Sequence, residues 1–152
     1  MEDSNANLEP AGIREFTGIL GRLYLAYNQH DANAAAALYA ADAVHEDIAV
    51  GHIVRGRDAI AKGLTGFFAA FPDAHWHPSV ELEGAGSAVA RYVLTATLQK
   101  DFGPYNAAGQ RLELRGVHVL ETVDGSIERS EDFWDSNTFG QQTKAIKRGV
   151  EE

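Results

Sequence analysis

Asp132 and His118 are the two side chains whose types and spacing could move protons in this chain. Asp132 stands in EDFWDSNTFGQQ, residues 131–142, where Glu131, Asp132 and Asp135 crowd around Phe133 and Trp134. Carboxylates are rarely fully buried unless they are paired, so each of the three needs an account. His118 stands upstream in LELRGVHVLETVDGSIERSEDFW, which reads as two strands joined at VDGS.

The register of that hairpin decides who meets whom, because side chains alternate faces along a strand. With a two-residue turn at Asp124-Gly125, His118 lies opposite Glu131 and Asp132 falls on the other face. With a three-residue Val123-Asp124-Gly125 loop, Gly125 takes the left-handed bulge position, Thr122 lies opposite Ser126, and His118 lies opposite Ser130. Asp132 is then its diagonal neighbour on the same face. The second register is favoured on chemical grounds. It gathers Leu112, Leu114, Leu120 and Trp134 on the face that carries His118 and Asp132. It sends Glu121, Arg129 and Glu131 outward with Val117, Val119, Ile127 and Phe133, a mixture suited to solvent or a subunit interface. Glu131 can pair with Arg129. Asp135, followed by Ser136 and Asn137, is placed to cap a short terminal helix. Asp132 remains, facing an apolar wall beside a histidine. Burial raises a carboxyl pKa and a nearby protonated histidine lowers it, so the pair suits general acid–base work. The competing account is a purely structural pair that satisfies two polar groups in a core.

The elements that must position these residues follow from periodicity. Ile13, Phe16, Leu20, Leu23, Tyr24 and Tyr27 form an apolar stripe at helical spacing, ending near Asn28. ANAAAALYA forms a short helix capped by Asp31, and a short strand follows around VHEDI. Another helix starts near Gly56–Asp58, runs through AIAKGLTGFFAAF and stops at Pro72. Four strands are predicted at residues 77–84, 87–99, 110–123 and 126–134. Helices first and hairpin-linked strands afterwards imply an α+β fold, a curved antiparallel sheet wrapped around the N-terminal helices. Such a sheet leaves a cone whose mouth suits a small-molecule pocket.

Composition narrows the classes of function. The chain has 152 residues, enough for one domain. Its net charge of -9 argues against nucleic acid and anionic membrane surfaces as partners. It has no cysteine, so a disulfide framework or thiolate metal site is excluded. MEDSNANLEP is neither a signal peptide nor a transit sequence, and a cytoplasmic location is expected.

The run RGVHVLETVDGSIERSEDFWDSNTFGQQ resembles the end of the SnoaL-like polyketide cyclase family. It has that family's strand histidine, DG turn, isoleucine, two aspartates three residues apart and short glutamine-containing helix. Upstream, YNQHDANAAAALYAADAVHEDIAVGHIVRGRDAIAKGL and FPDAHW are similar to the wider nuclear-transport-factor-2-like superfamily, which includes ketosteroid isomerases and limonene epoxide hydrolases. The likeness spans about residues 12 to 142. It implies one cone-shaped domain over residues 10–145, between tails at 1–9 and 146–152, in a homodimer.

By resemblance, Asp132 is the acid/base catalyst and His118 its neighbour. The reaction implied is a cofactor-free intramolecular aldol closure of an aromatic polyketide ester. Trp134, Tyr24, Phe67, Phe68 and Phe71 could line a flat aromatic slot, although ordinary core packing accounts for most of them. Tyr105, in the loop KDFGPYNAAG, could touch a ligand at the cone mouth. Asp47, in VHEDI, stands near the isomerase base, which leaves an isomerase-like proton transfer as an alternative. A non-catalytic ligand-binding or dimerisation module on the same fold is the other.

Two departures qualify the likeness. The family's terminal QLG is GQQT here. The Arg-x-Asp pair of the hydrolase branch is incomplete, since Val93 follows Arg91 two residues later. His75 and His77 share a strand face, with His45 and His52 not far off in sequence. Their spacing matches no ligand motif and Pro78 interrupts the strand, so no metal is expected.

Overall fold

The computed structural model describes residues 18–144. The proposed tails, Ile13 and Phe16 lie outside the described residues. The chain runs α1 (Ile19–Asn28), α2 (Ala32–Ala37), β1 (Tyr39–Asp47), β2 (His52–Arg55), α3 (Arg57–Ala70), β3 (His75–Gly84), β4 (Ser87–Thr97), β5 (Arg111–Val123), β6 (Ser126–Trp134) and α4 (Ser136–Thr143).

The apolar stripe of α1 buries Leu20, Leu23, Tyr24 and Tyr27. The helix stops where His30 turns to a φ of 55°. Asp31 then caps α2, accepting from the Ala34 backbone N–H at 2.9 Å. The helix expected over ANAAAALYA is shorter than its alanines suggest. It ends at Leu38, and Tyr39 opens β1 instead. The sheet takes these residues because the Leu38 carbonyl accepts from the Ile127 N–H and Tyr39 pairs with Ile127. Strand β2 was not expected from its four residues, HIVR. It forms by pairing antiparallel with β1.

The six strands make one curved sheet in the order β2-β1-β6-β5-β4-β3. Its pairings are antiparallel except β1 with β6, which is parallel. The helices cover the concave face, where Leu20, Leu23, Leu98, Leu112, Leu120 and Ile127 are fully buried. The apolar face of β4 sets two large residues between alanines: Ala88, Ala90, Tyr92, Leu94 and Ala96 all point inward.

The β5–β6 hairpin adopts neither register considered for it. Val123 pairs with Ser126, so the turn is the two-residue type, with Asp124 at φ 50° and Gly125 at φ 80°. One step further, Thr122 pairs with Ile127 but Glu121 pairs with Arg129. Glu128 is therefore an extra residue in β6, a β-bulge. The bulge shifts every later pairing by one and sets His118 directly opposite Asp132. The inward set is thus the one expected, reached by a different route. Ile127 is the exception: it precedes the bulge and is fully buried rather than outward.

This register can be tested by deletion. Removing the exposed Glu128 leaves one continuous ladder and keeps Ser130, Asp132 and Trp134 on their face. We expect that variant to unfold cooperatively within about 1–2 kcal/mol of wild type in urea. Removing Glu131 instead reverses the alternation from Asp132 onward, and it should abolish cooperative unfolding.

Candidate active site

Between the concave sheet face, α3, α4 and the loop at residues 102–105 lies a cavity of about 630 Å³. Most of its wall is apolar or aromatic, including Phe67, Trp76, Leu94, Leu114 and Phe139. The polar end is built by three adjacent strands. Parallel pairing of β1 with β6 sets Asp47 beside Asp132 and His45 beside Ser130. Antiparallel pairing of β5 with β6 sets His118 on the other side of Asp132. Asp47 and Asp132 both face the cavity.

Asp132 accepts a 2.6 Å hydrogen bond at Oδ1 from the Tyr92 hydroxyl. Tyr92 lies on β4, and β5 stands between β4 and β6. Neighbouring strands lie about 4.8 Å apart, so a phenol can cross two such spacings only by lying over the middle strand. The residue beneath it is Gly116, the partner of Tyr92 on β5. A Cβ at that glycine would stand 2.2 Å from the Tyr92 hydroxyl oxygen. A glycine inside a strand often marks such a close approach.

Asp47 is held by another set of partners. His45 Nε2 lies 3.3 Å from its Oδ1 and His52 Nδ1 4.0 Å from its Oδ2. The Trp134 indole also hydrogen-bonds its carboxylate. His45 Nδ1 meets Ser130 Oγ at 2.6 Å, and Ser130 Oγ meets the Tyr39 hydroxyl at 2.8 Å. Because an ionised Asp47 can only accept, the His45 contact places a proton on Nε2.

These surroundings push the two carboxyls apart. Burial raises Asp132 to about 7; the Tyr92 hydrogen bond and the nearby His45 pull it down, and the charge of Asp47 pushes it up. Burial opposes the charge of Asp47 as well, but the hydrogen bond and charge of His45, the Trp134 indole and His52 outweigh it. Asp47 therefore stays below the ordinary aspartate value. Divergent carboxyls in one cavity are a pattern of acid–base sites.

His118 is 2% exposed, and its Nε2 has no hydrogen-bond partner among the described residues. No hydrogen bond joins it to Asp132. Burial, helped by the nearby His45, lowers it to about 3. It is therefore neutral, and the expectation that a protonated His118 would lower Asp132 is corrected. His45 exerts that pull.

Trp134, Asp47 and Tyr105 line the cavity, as does Phe67. Tyr24 and Phe68 lie behind the wall. The Tyr24 ring stands edge-on to His118 with centroids 6.2 Å apart, and its hydroxyl has no hydrogen-bond partner among the described residues. Phe68 stacks on His30 at 4.6 Å. Phe71 is fully buried against Phe67 and Phe102. Arg91 turns outward to Ser79. His75 and His77 sit exposed on β3 with rings 4.4 Å apart. The outward Glu131 meets Arg129 at 3.4 Å, and Arg129 also pairs with Glu46. Asp135 caps α4 through the Asn137 N–H.

Sequence reasoning missed Tyr92, Tyr39, Ser130 and Gly116, and considered His45 only as a metal ligand. Gly116 carried a signal, a glycine within an alternating strand. The others carried none, because their roles arise from non-local strand pairing.

A sequence profile of the SnoaL-like domain matches residues 20–130. The chain belongs to the SnoaL-like family. Solved structures agree on the fold. A candidate polyketide cyclase from Xanthomonas campestris pv. campestris is 23% identical, covering 83% of this chain and 94% of that one, with a TM-score of 0.76. A candidate hydroxylase from Streptomyces galilaeus is 22% identical over 82% and 92%, with a TM-score of 0.72. A protein of ketosteroid isomerase-like fold from Catenulispora acidiphila, solved with trimethylamine, is 18% identical over 82% and 91%, with a TM-score of 0.72. No curated protein matches the chain. As a SnoaL-like domain the chain shares its fold with these structures. No described helix is long and apolar enough to cross a membrane.

The raised Asp132 should cost stability at neutral pH. The folded protein holds this proton more tightly than the unfolded chain, so stability falls as pH rises from about 4 to about 7. Asp132→Asn keeps an oxygen for Tyr92 and removes the charge. Its melting temperature should exceed wild type by more at pH 8 than at pH 5 in paired thermal scans. An equal difference at both values would show that the Asp132 proton is not held unusually tightly.

Proposed function

We propose that this SnoaL-like protein is a cofactor-free acid/base enzyme that closes a ring in an aromatic polyketide ester by intramolecular aldol addition. One observation carries the reading: a carboxyl held near pH 7 at the polar end of a cavity walled mostly by apolar and aromatic side chains. Carbon flanked by two carbonyls is already acidic, so a carboxylate of this strength can take its proton. Asp132 removes that proton, the resulting enolate carbon attacks a ketone within the same molecule, and the new alkoxide recovers the proton from Asp132. One carbon–carbon bond forms, and no atom is lost. Trp134 and Tyr105 would hold the flat ring system in this reading. His118, neutral and behind the wall, would keep the ground beside Asp132 poorly hydrated rather than carry charge.

Asp47 is the weaker base of the two carboxylates because its partners stabilise its charge, so the isomerase-like reading through Asp47 is less well supported. A binding module without catalysis would not need the raised Asp132. We further propose a homodimer. The outer sheet face carries Phe133 at 40% exposure with half-buried Val117 and Val119, apolar surface that a second subunit could cover.

The test is a ring-closure assay by liquid chromatography and mass spectrometry on tricyclic polyketide esters, with wild type and Asp132→Asn. The expected product has the mass of its substrate, and Asp132→Asn should lose about 10²–10⁴-fold in rate. A product that gains an oxygen would replace this reading with hydroxylation. No turnover across the panel, with ligand binding retained, would favour the binding module. For wild type, kcat/KM should rise with pH to a plateau above about 7, since the ionised Asp132 is the base.

A further inference from the structure

Tyr92 and Gly116 have no part in the reaction as written above, yet the contact between them governs the geometry of Asp132. The side chains form two rows across β4, β5 and β6. One row reads Tyr92, Gly116 and Trp134; the next reads Ala90, His118 and Asp132. Tyr92 leaves its own row, crosses the bare backbone of Gly116 and ends on Oδ1 of Asp132 at 2.6 Å. Oδ2 carries no hydrogen bond from the described residues. The Tyr92 phenol is buried, and both burial and the charge of Asp132 raise its own pKa, so it remains a donor throughout the pH range of a soluble enzyme.

We propose that Tyr92 is a positioning residue for Asp132, that Gly116 is the residue that admits it, and that Oδ2 is consequently the only oxygen of Asp132 that exchanges a proton with a bound ligand. A free carboxylate can turn and use either oxygen. One pinned through Oδ1 presents a fixed Oδ2 towards the cavity. The consequence for catalysis rests on the ring-closure reading: the oxygen that takes the proton is the one that returns it, so both transfers occur on one face of the enolate. No water or second acid is required. The contact with Tyr92 is independent of that reading, because it lies within the folded chain.

The test separates the two. In protein labelled with ¹³C at the aspartate side-chain carboxyl carbon, the Asp132 titration is followed by NMR in wild type, Tyr92→Phe, Gly116→Ala and the double variant. The Tyr92 hydrogen bond stabilises the ionised form, so Tyr92→Phe should move the midpoint up by about one unit. Gly116→Ala should move it in the same direction while leaving Tyr92 in place, because the new methyl displaces the phenol. If Gly116 acts only through Tyr92, the double variant should match Tyr92→Phe rather than show the sum of the two shifts. Additive shifts, or a folded Gly116→Ala with an unmoved Asp132, would overturn the role of Gly116. An unmoved midpoint in Tyr92→Phe would overturn the proposal outright, and that variant, lacking only one hydroxyl, keeps the test decisive if Gly116→Ala does not fold. Titration shifts as expected without ring closure on any substrate would sustain the positioning role and reject the proposed reaction. With an active enzyme, Tyr92→Phe should shift the rising limb of kcat/KM to higher pH by the same amount, a change that loss of packing alone would not produce.

Discussion

The extra residue in β6, Glu128, is the constraint on which the site depends. Were Glu128 to take a place in the ladder instead of bulging out, the two-residue hairpin at Asp124-Gly125 would set His118 against Glu131 and turn Asp132 to the outer face. With the bulge, Ser130 and Asp132 turn inward beside His45 and Asp47 of the parallel strand β1. The same shift leaves Arg129 and Glu131 outside, where Arg129 joins Glu46 and Glu131 in an ion-pair cluster. One unpaired residue therefore sorts the charges of β6 into those that water solvates and those that the cavity retains. Bulges commonly serve to re-aim a side chain in this way.

What reaches the cavity is then tuned by unequal solvation. Asp47 has His45, His52 and the Trp134 indole around it and keeps its charge. Asp132 has a single donor, Tyr92, and an anionic neighbour. Two identical side chains on adjacent strands thus differ in proton affinity because one is supplied with donors and the other is not. A carboxyl that resists ionisation weakens the folded state at neutral pH, so the arrangement sets chemical readiness against stability. His118 illustrates the opposite outcome. Full burial, with no partner for Nε2 among the described residues, leaves it neutral, so it packs behind the cavity wall and contributes no charge.

Membership of the SnoaL-like family accounts for the fold, which is shared with proteins described as candidate cyclases and hydroxylases. A fold that hosts several chemistries does not select among them. In this chain the selection rests on what lines the polar end. The pairings Ala90 with His118 and Tyr92 with Gly116 alternate small and large residues across β4 and β5, and that alternation gives Tyr92 its path to Asp132.

By itself, the sequence determined the element order, the helix caps and the inward face of β5. These are local properties: the stripe of Leu20, Leu23, Tyr24 and Tyr27 has a helical period, Asp31 and Asp135 precede helices as caps, and Leu112, Leu114, His118 and Leu120 alternate. The motif around Asp132 was legible too, because one short hairpin carries it. Only the tertiary structure decided the turn type with its compensating bulge, the strand identity of Tyr39, the parallel neighbour that brings Asp47 to Asp132, and the path of Tyr92 over Gly116. The last three join residues 24 to 91 positions apart in the chain. Local periodicity specifies which way a side chain points, but which side chain it meets is a property of strand order and register.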